Sequence, residues 1–170
     1  MKTTRKITIN ATSAQVWKIF ATDFENAHKW MAGVPHSFGK ELGERYEGAN
    51  SAGRVCQLDG KPNGLQAYET ILNVDEKLKS MLVRITFKNA PLVIPIIANN
   101  ADFNVTDTVD ARSQVVFTVT SELKPWAYLL FPLIKLGFGV FVSQIVEELK
   151  FYVENGTPHP RKLKALSKQK

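Results

Sequence analysis

The sequence predicts an α+β fold: seven antiparallel strands in a meander, two short helices after the first strand, and a long C-terminal helix. Three patterns predict it. Apolar and polar residues alternate through the middle of the chain, the period of half-buried strands. Thr12 to Gln15 has the spacing of a capping box that opens a helix. Ile134, Phe138, Val142, Ile145, Leu149 and Tyr152 recur at intervals of three and four, a continuous stripe on one helix.

Taken in order, RKITINAT (5–12) sets Ile7 and Ile9 against polar neighbours, a strand with one buried face. Val16, Trp17 and Phe20 then follow at helical intervals. Asp23 to Val34 reads as a second short helix or helical turn carrying Phe24, Trp30 and Met31, closed by Gly33 to Pro35. SFGKEL (37–42) is a strand, and RVCQL (54–58) is another that runs into the turn DGKPNG. LQAYETILNV (65–74) and KSMLVRITF (79–87) make a hairpin, with Met81, Val83, Ile85 and Phe87 on one face. ADFNVTDTV (101–109) and SQVVFTVTSEL (113–123) make the next, with Val115, Phe117 and Val119 aligned.

Composition suits one soluble domain, residues 1–156, followed by a basic tail at 157–170. The chain has 170 residues, 44% hydrophobic and 22% charged. Cys56 is the single cysteine, so an intramolecular disulfide and a cysteine-rich metal site are both excluded. MKTTRKITIN lacks the apolar core of a signal peptide, and a cytoplasmic protein is expected. Of the 22 basic residues eight lie at the two ends, leaving 14 in the body against all sixteen acids. That distribution does not build the basic folded face of a nucleic-acid-binding module, and no nucleic-acid partner is expected.

Two apolar stretches stand out. PWAYLLFPLIKLGFGVFV (125–142) approaches the length of a membrane span, but Pro132 and Lys135 interrupt it and the stripe continues into a polar-backed helix ending near Gly156. It reads as the more deeply buried first half of that helix. NAPLVIPIIANN (89–100) holds two prolines in an apolar run, which speaks against a central strand. A lid over a cavity mouth, transient contact with a membrane surface, packing on the long helix, and a homodimer interface all account for it.

This element order is that of the helix-grip fold, in which a curved sheet wraps the last helix. INATSAQVWKIFATDFENAHKW, YETILNVDEKLKSMLVRI and VEELKFYVENGTPHPRK resemble the corresponding segments of the superfamily of START domains, birch-pollen-allergen-like proteins and polyketide cyclases/dehydrases (SRPBCC). The resemblance covers nearly all of residues 3 to 162. It implies a cavity between sheet and helix that holds an apolar small molecule such as a lipid, sterol or polyketide; no cofactor is expected. Trp30, Phe87, Phe103, Phe117, Phe138 and Phe141 are the candidate ligand-binding residues, since such pockets are mainly apolar and aromatic. Gly137 and Gly139 would leave room for a ligand or for close packing.

Catalytic signatures are absent from the sequence: no P-loop, dinucleotide glycine motif, HExxH or nucleophile elbow occurs. His28, His36 and His159 do not form a metal pattern, and no metal is expected. Either Tyr68 or Glu69 faces inward but not both; an inward Glu69 could act as a general base, while an outward one would be salt-bridged. Arg84 is expected to point outward, and Cys56 to serve packing. Glu147 and Glu148 are neighbours on a helix and need not act as a pair. The two functional classes are therefore a binding module, carrier or sequestering, and a cyclase/dehydrase-type enzyme using the same cavity; no catalytic residue is assigned.

Overall fold

The structure, a computed structural model, describes residues 1–40, 43, 45, 49 and 51–167. Seven strands form a single antiparallel sheet: β1 (Lys2–Ile9), β2 (His36–Gly39), β3 (Gly53–Gln57), β4 (Gln66–Asp75), β5 (Ser80–Lys88), β6 (Ile96–Asp107) and β7 (Ser113–Leu123). Their spatial order is β1-β7-β6-β5-β4-β3-β2, a meander with the first strand returned beside the last. The helices are α1 (Ser13–Trp17), α2 (Phe131–Asn155) and α3 (Pro160–Ser167). The predicted fold class is borne out. The end of the predicted strand at 37–42 falls on residues outside those described.

Local chemistry sets the boundaries. Thr12 caps α1: its hydroxyl accepts from the Gln15 amide while Gln15 Oε1 accepts from the Thr12 amide at 2.9 Å, the reciprocal capping box. The helix passes into a π-helical turn at Lys18–Thr22 and 3₁₀ turns at Phe24–Lys29, so the second short helix is a looser structure than its spacing suggested. α2 stops at Gly156, whose φ of 68° is the left-handed cap that glycine adopts without steric cost.

Alternation along the strands decides which face is covered. Ile71, Met81, Val83, Phe103, Val105, Val115, Phe117 and Val119 pack with Val16, Trp17, Phe20 and Trp30 and with Val142, Val146 and Leu149 of α2. Register shifts at Ile71/Asn73 and Ile96/Ala98 locally bend β4 and β6. Phe20 stacks on Phe103 at 3.6 Å between ring centroids, fixing the helical turns to the sheet.

Three expectations are corrected. Ile96 to Asn100 belong to β6, so the apolar loop is confined to residues 89–95, where Pro91 and Pro95 flank the turn closed by Ile94 N to Pro91 O. The first half of α2 is not deeply buried: Leu133, Leu136, Val140 and Phe141 are exposed, and only Gly139 of residues 131–140 is buried. The C-terminal segment is not a purely solvated tail, because residues 160–167 form α3 and its Lys162 is buried with Nζ donating to Val34 O at 2.7 Å. A primary ammonium on a short basic helix found a carbonyl acceptor in the body, which the charge run alone did not reveal.

Candidate functional site

Between the sheet, α2 and the turns at residues 20–34 lies a cavity of about 110 Å³. Its walls are Phe20 and Phe24, then Met31, Gly33 and Val34, then Val83, Ile85 and Phe87 of β5, with Ala101, Phe117 and Ile145 closing it. Its polar lining residues are Arg54, Glu69 and Asn99, set on the sheet wall between Ala67 and Phe87 on one side and Val83 and Ala101 on the other.

The polar row follows from strand register. Arg54 of β3 lies opposite Glu69 of β4, Glu69 opposite Ile85 of β5, and Ile85 opposite Asn99 of β6, so all four belong to one row across the sheet. Arg54 Nη2 pairs with Glu69 Oε2 at 2.9 Å, both side chains nearly out of water. The guanidinium also donates from Nη1 to Phe24 O at 2.7 Å and lies 4.0 Å from the Phe24 ring centroid. Burial works against its charge, but the Glu69 carboxylate beside it holds the Arg54 pKa above its ordinary value. Arg54 Nε and Asn99 Oδ1 are buried without a hydrogen-bond partner among the described residues.

Glu69 is thus inward and salt-bridged at once, a combination the two sequence readings kept apart. Cys56 Sγ lies 3.5 Å from Glu69 Oε1, and burial followed by the neighbouring carboxylate pushes its thiol pKa up. Arg84 points outward to Glu122, as expected. Among the described residues no cluster of three or more His, Cys, Asp and Glu could hold a metal.

The aromatic candidates divide. Phe87, Phe117 and Phe141 line the cavity, Phe141 half exposed at its rim. Phe103 lies in the core under Phe20, and Phe138 packs against the core beside Phe141 without reaching the cavity wall. Trp30 is buried and borders a separate recess of about 300 Å³ shared with Lys18, Asp23 and Tyr152. The side chains that sequence reasoning missed are Phe20, Phe24, Arg54 and Asn99. Arg54 stood in an apolar strand pattern, which was the available signal; Asn99 was hidden because its segment read as a loop.

The cavity rim is tied to the C-terminal helices. Buried Glu148 accepts from the Ala32 amide at 2.8 Å and from Arg161 Nε at 3.0 Å, and Glu147 takes Arg161 Nη2 at 2.8 Å. The adjacent glutamates therefore converge on one guanidinium. Gly139 leaves space for Arg5, whose Nη2 donates to Gly139 O at 2.9 Å; a Cβ there would stand 2.9 Å from that nitrogen. Close packing, not ligand room, explains this glycine.

A curved antiparallel sheet gripping a long helix around an enclosed cavity defines a START-like helix-grip protein. The chain belongs to the polyketide cyclase/dehydrase and lipid transport family, whose model matches residues 1–150. Solved structures agree in fold. A START superfamily protein from Mycobacterium smegmatis superimposes with a TM-score of 0.70 at 12% identity, over 92% of this chain and 99% of that one. Ara h 8.0201 gives 0.60 at 14% identity, over 90% and 97%. Norcoclaurine synthase from Thalictrum flavum gives 0.60 at 13% identity, over 91% and 87%. No curated protein matches the chain. At these identities the likeness is one of fold.

Proposed function

We propose that this protein binds an apolar small molecule of lipid, sterol or polyketide kind in the cavity, as a carrier or sequestering module. The observation that carries the reading is an inner space walled by Phe20, Phe24, Val83, Ile85, Phe117 and Ile145, with a single polar row, Arg54, Glu69 and Asn99, crossing its sheet wall. Transfer of an apolar ligand into such a space is favoured by about 25 cal/mol for each Å² removed from water. The Arg54–Glu69 pair leaves no net charge on the polar row, so a neutral hydroxyl or carbonyl suits it better than a carboxylate. At about 110 Å³ the cavity as it stands takes a ring or short chain, and a whole lipid or sterol requires its walls to part.

Native mass spectrometry of the purified chain, followed by organic extraction, tests this. A co-purifying apolar compound supports it. Titration with that compound should then show Phe117→Trp weakening affinity about tenfold by filling the cavity, and Phe138→Trp leaving it unchanged. Equal affinity for both variants and the parent would sink the assignment.

A second reading, a cyclase/dehydrase-type enzyme, rests on Glu69 standing in the cavity wall. Its carboxylate is already engaged by Arg54, which argues for a positioned polar wall over a free base. Turnover of the extracted compound that disappears in Glu69→Gln, with binding retained, would favour the enzyme.

A further inference from the structure

We propose that the exposed apolar face formed by residues 91–97 and 126–141 docks on the surface of an anionic phospholipid bilayer. The two segments meet at one end of the sheet, where Lys124 N donates to Pro95 O at 2.8 Å. Between them runs an open groove of about 560 Å³ lined by Leu92, Val93, Pro95, Trp126, Leu130 and Ile134. Leu92 is 87% exposed, Leu129 86%, Leu136 69% and Leu133 68%. A contiguous apolar surface of this kind marks a binding face and not ordinary protein exterior.

Charge indicates the partner. No acidic residue occurs between Glu76 and Asp102 or between Glu122 and Glu147, the two stretches that build the face. Lys88, Lys124 and Lys135 flank or interrupt it, and among the described residues no salt bridge engages them. Apolar side chains ringed by lysines match acyl chains beneath anionic headgroups, while the exposed Trp126 and Tyr128 have the amphipathic rings that settle at that boundary. A second copy fits less well. A two-fold contact through this face would bring two surfaces of the same positive sign together.

The geometry is that of lying on a bilayer, not crossing it. The helical segment Pro125–Asn155 is long and apolar enough to span, with mean hydropathy 1.9 over an 18-residue window. Its second half, however, is committed to the sheet through Val142, Val146 and Leu149, and Arg5 holds its middle at Gly139. Phe141 belongs both to this face and to the cavity rim, so the docked surface adjoins the ligand entrance. Docking itself requires no ligand; only its use for loading rests on the proposed function.

The test is co-sedimentation of the full chain with phosphatidylcholine vesicles, with and without added phosphatidylglycerol, at low and high salt. Binding is expected with the anionic vesicles and should fall with salt. The combined variant Leu129→Ser, Leu133→Ser, Leu136→Ser should bind about tenfold more weakly. These side chains are mostly in water, so an unchanged thermal melt confirms that the variant folds. Trp17 and Trp30 are buried, so a blue shift of fluorescence on vesicle addition reports Trp126 entering the interface. Absence of vesicle binding, equal binding to neutral vesicles, or binding indifferent to the substitutions would each overturn the proposal. A concentration-dependent dimer dispersed by the same substitutions, without vesicle binding, would overturn it and assign the face to a second copy. None of these outcomes alters whether a compound co-purifies in the cavity.

Discussion

Arg54 and Glu69 show how a buried charge is tolerated at the wall of an apolar cavity. The two charges pair with each other, and Phe24 supplies a carbonyl and a ring face to the same guanidinium, whose Nε alone is left over. Breaking one side leaves an uncompensated buried ion, so Glu69→Gln is expected to lower stability by about 3 kcal/mol in urea unfolding. Replacing both, Arg54→Met with Glu69→Leu, should recover most of that loss. If the single variant unfolds at the parental urea concentration, the pair is not buried as described. Cys56 provides an independent probe. Its thiol is buried with its pKa pushed up, so dithiobis-nitrobenzoate should label it only as fast as the chain unfolds; rapid labelling of the folded protein would contradict the packing.

At the scale of elements, the clamp between β6 and α1 gives a pH prediction. Asp107 accepts from the Ser13 hydroxyl and the Ser13 amide, both at 2.7 Å, and these bonds hold its pKa below the ordinary 3.8. A depressed folded pKa contributes stability above the unfolded value that is lost as pH falls through the folded one. Asp107→Asn should therefore be less stable than the parent at neutral pH, with the difference shrinking in acid; a difference that grew in acid would refute the clamp. The exposed half of α2 gives a second element-scale prediction. A Cβ at Gly137 meets nothing within 4 Å, so Gly137→Ala should stabilise by about 0.5–1 kcal/mol. The element boundaries were legible where local chemistry dictates them, as at the Thr12 capping box and the Gly156 cap. They were misread where a tertiary neighbour decides, as at Ile96–Asn100, which two nearby prolines disguised as loop although β5 and β7 pair with it on both sides.

At the scale of the whole molecule, α3 closes the fold against the cavity rim. Arg161 neutralises buried Glu148, and Lys162 reaches Val34 O across the chain. Truncation after Gly156 removes both, and it should cost about 3 kcal/mol by leaving Glu148 without its cation. It should also loosen residues 31–34, which line the cavity, so affinity for a co-purified compound should fall with stability. A truncated chain as stable as the parent would show α3 to be dispensable.

By itself the sequence determined the α+β class, the meander, the helix stripe from Val142 to Tyr152 and the partly aromatic lining of the cavity. These depend on periodicity and caps, which are local along the chain and survive in one dimension. Only the tertiary structure decided that Phe103, Phe138 and Trp30 stand off the cavity, that Arg54 and Asn99 share its polar row, and that the first half of α2 faces outward. Those outcomes depend on strand register and on which surface remains uncovered after the sheet closes. Register is set by pairings between residues distant in sequence, and exposure is what the rest of the fold leaves unburied, so neither is written in any single segment.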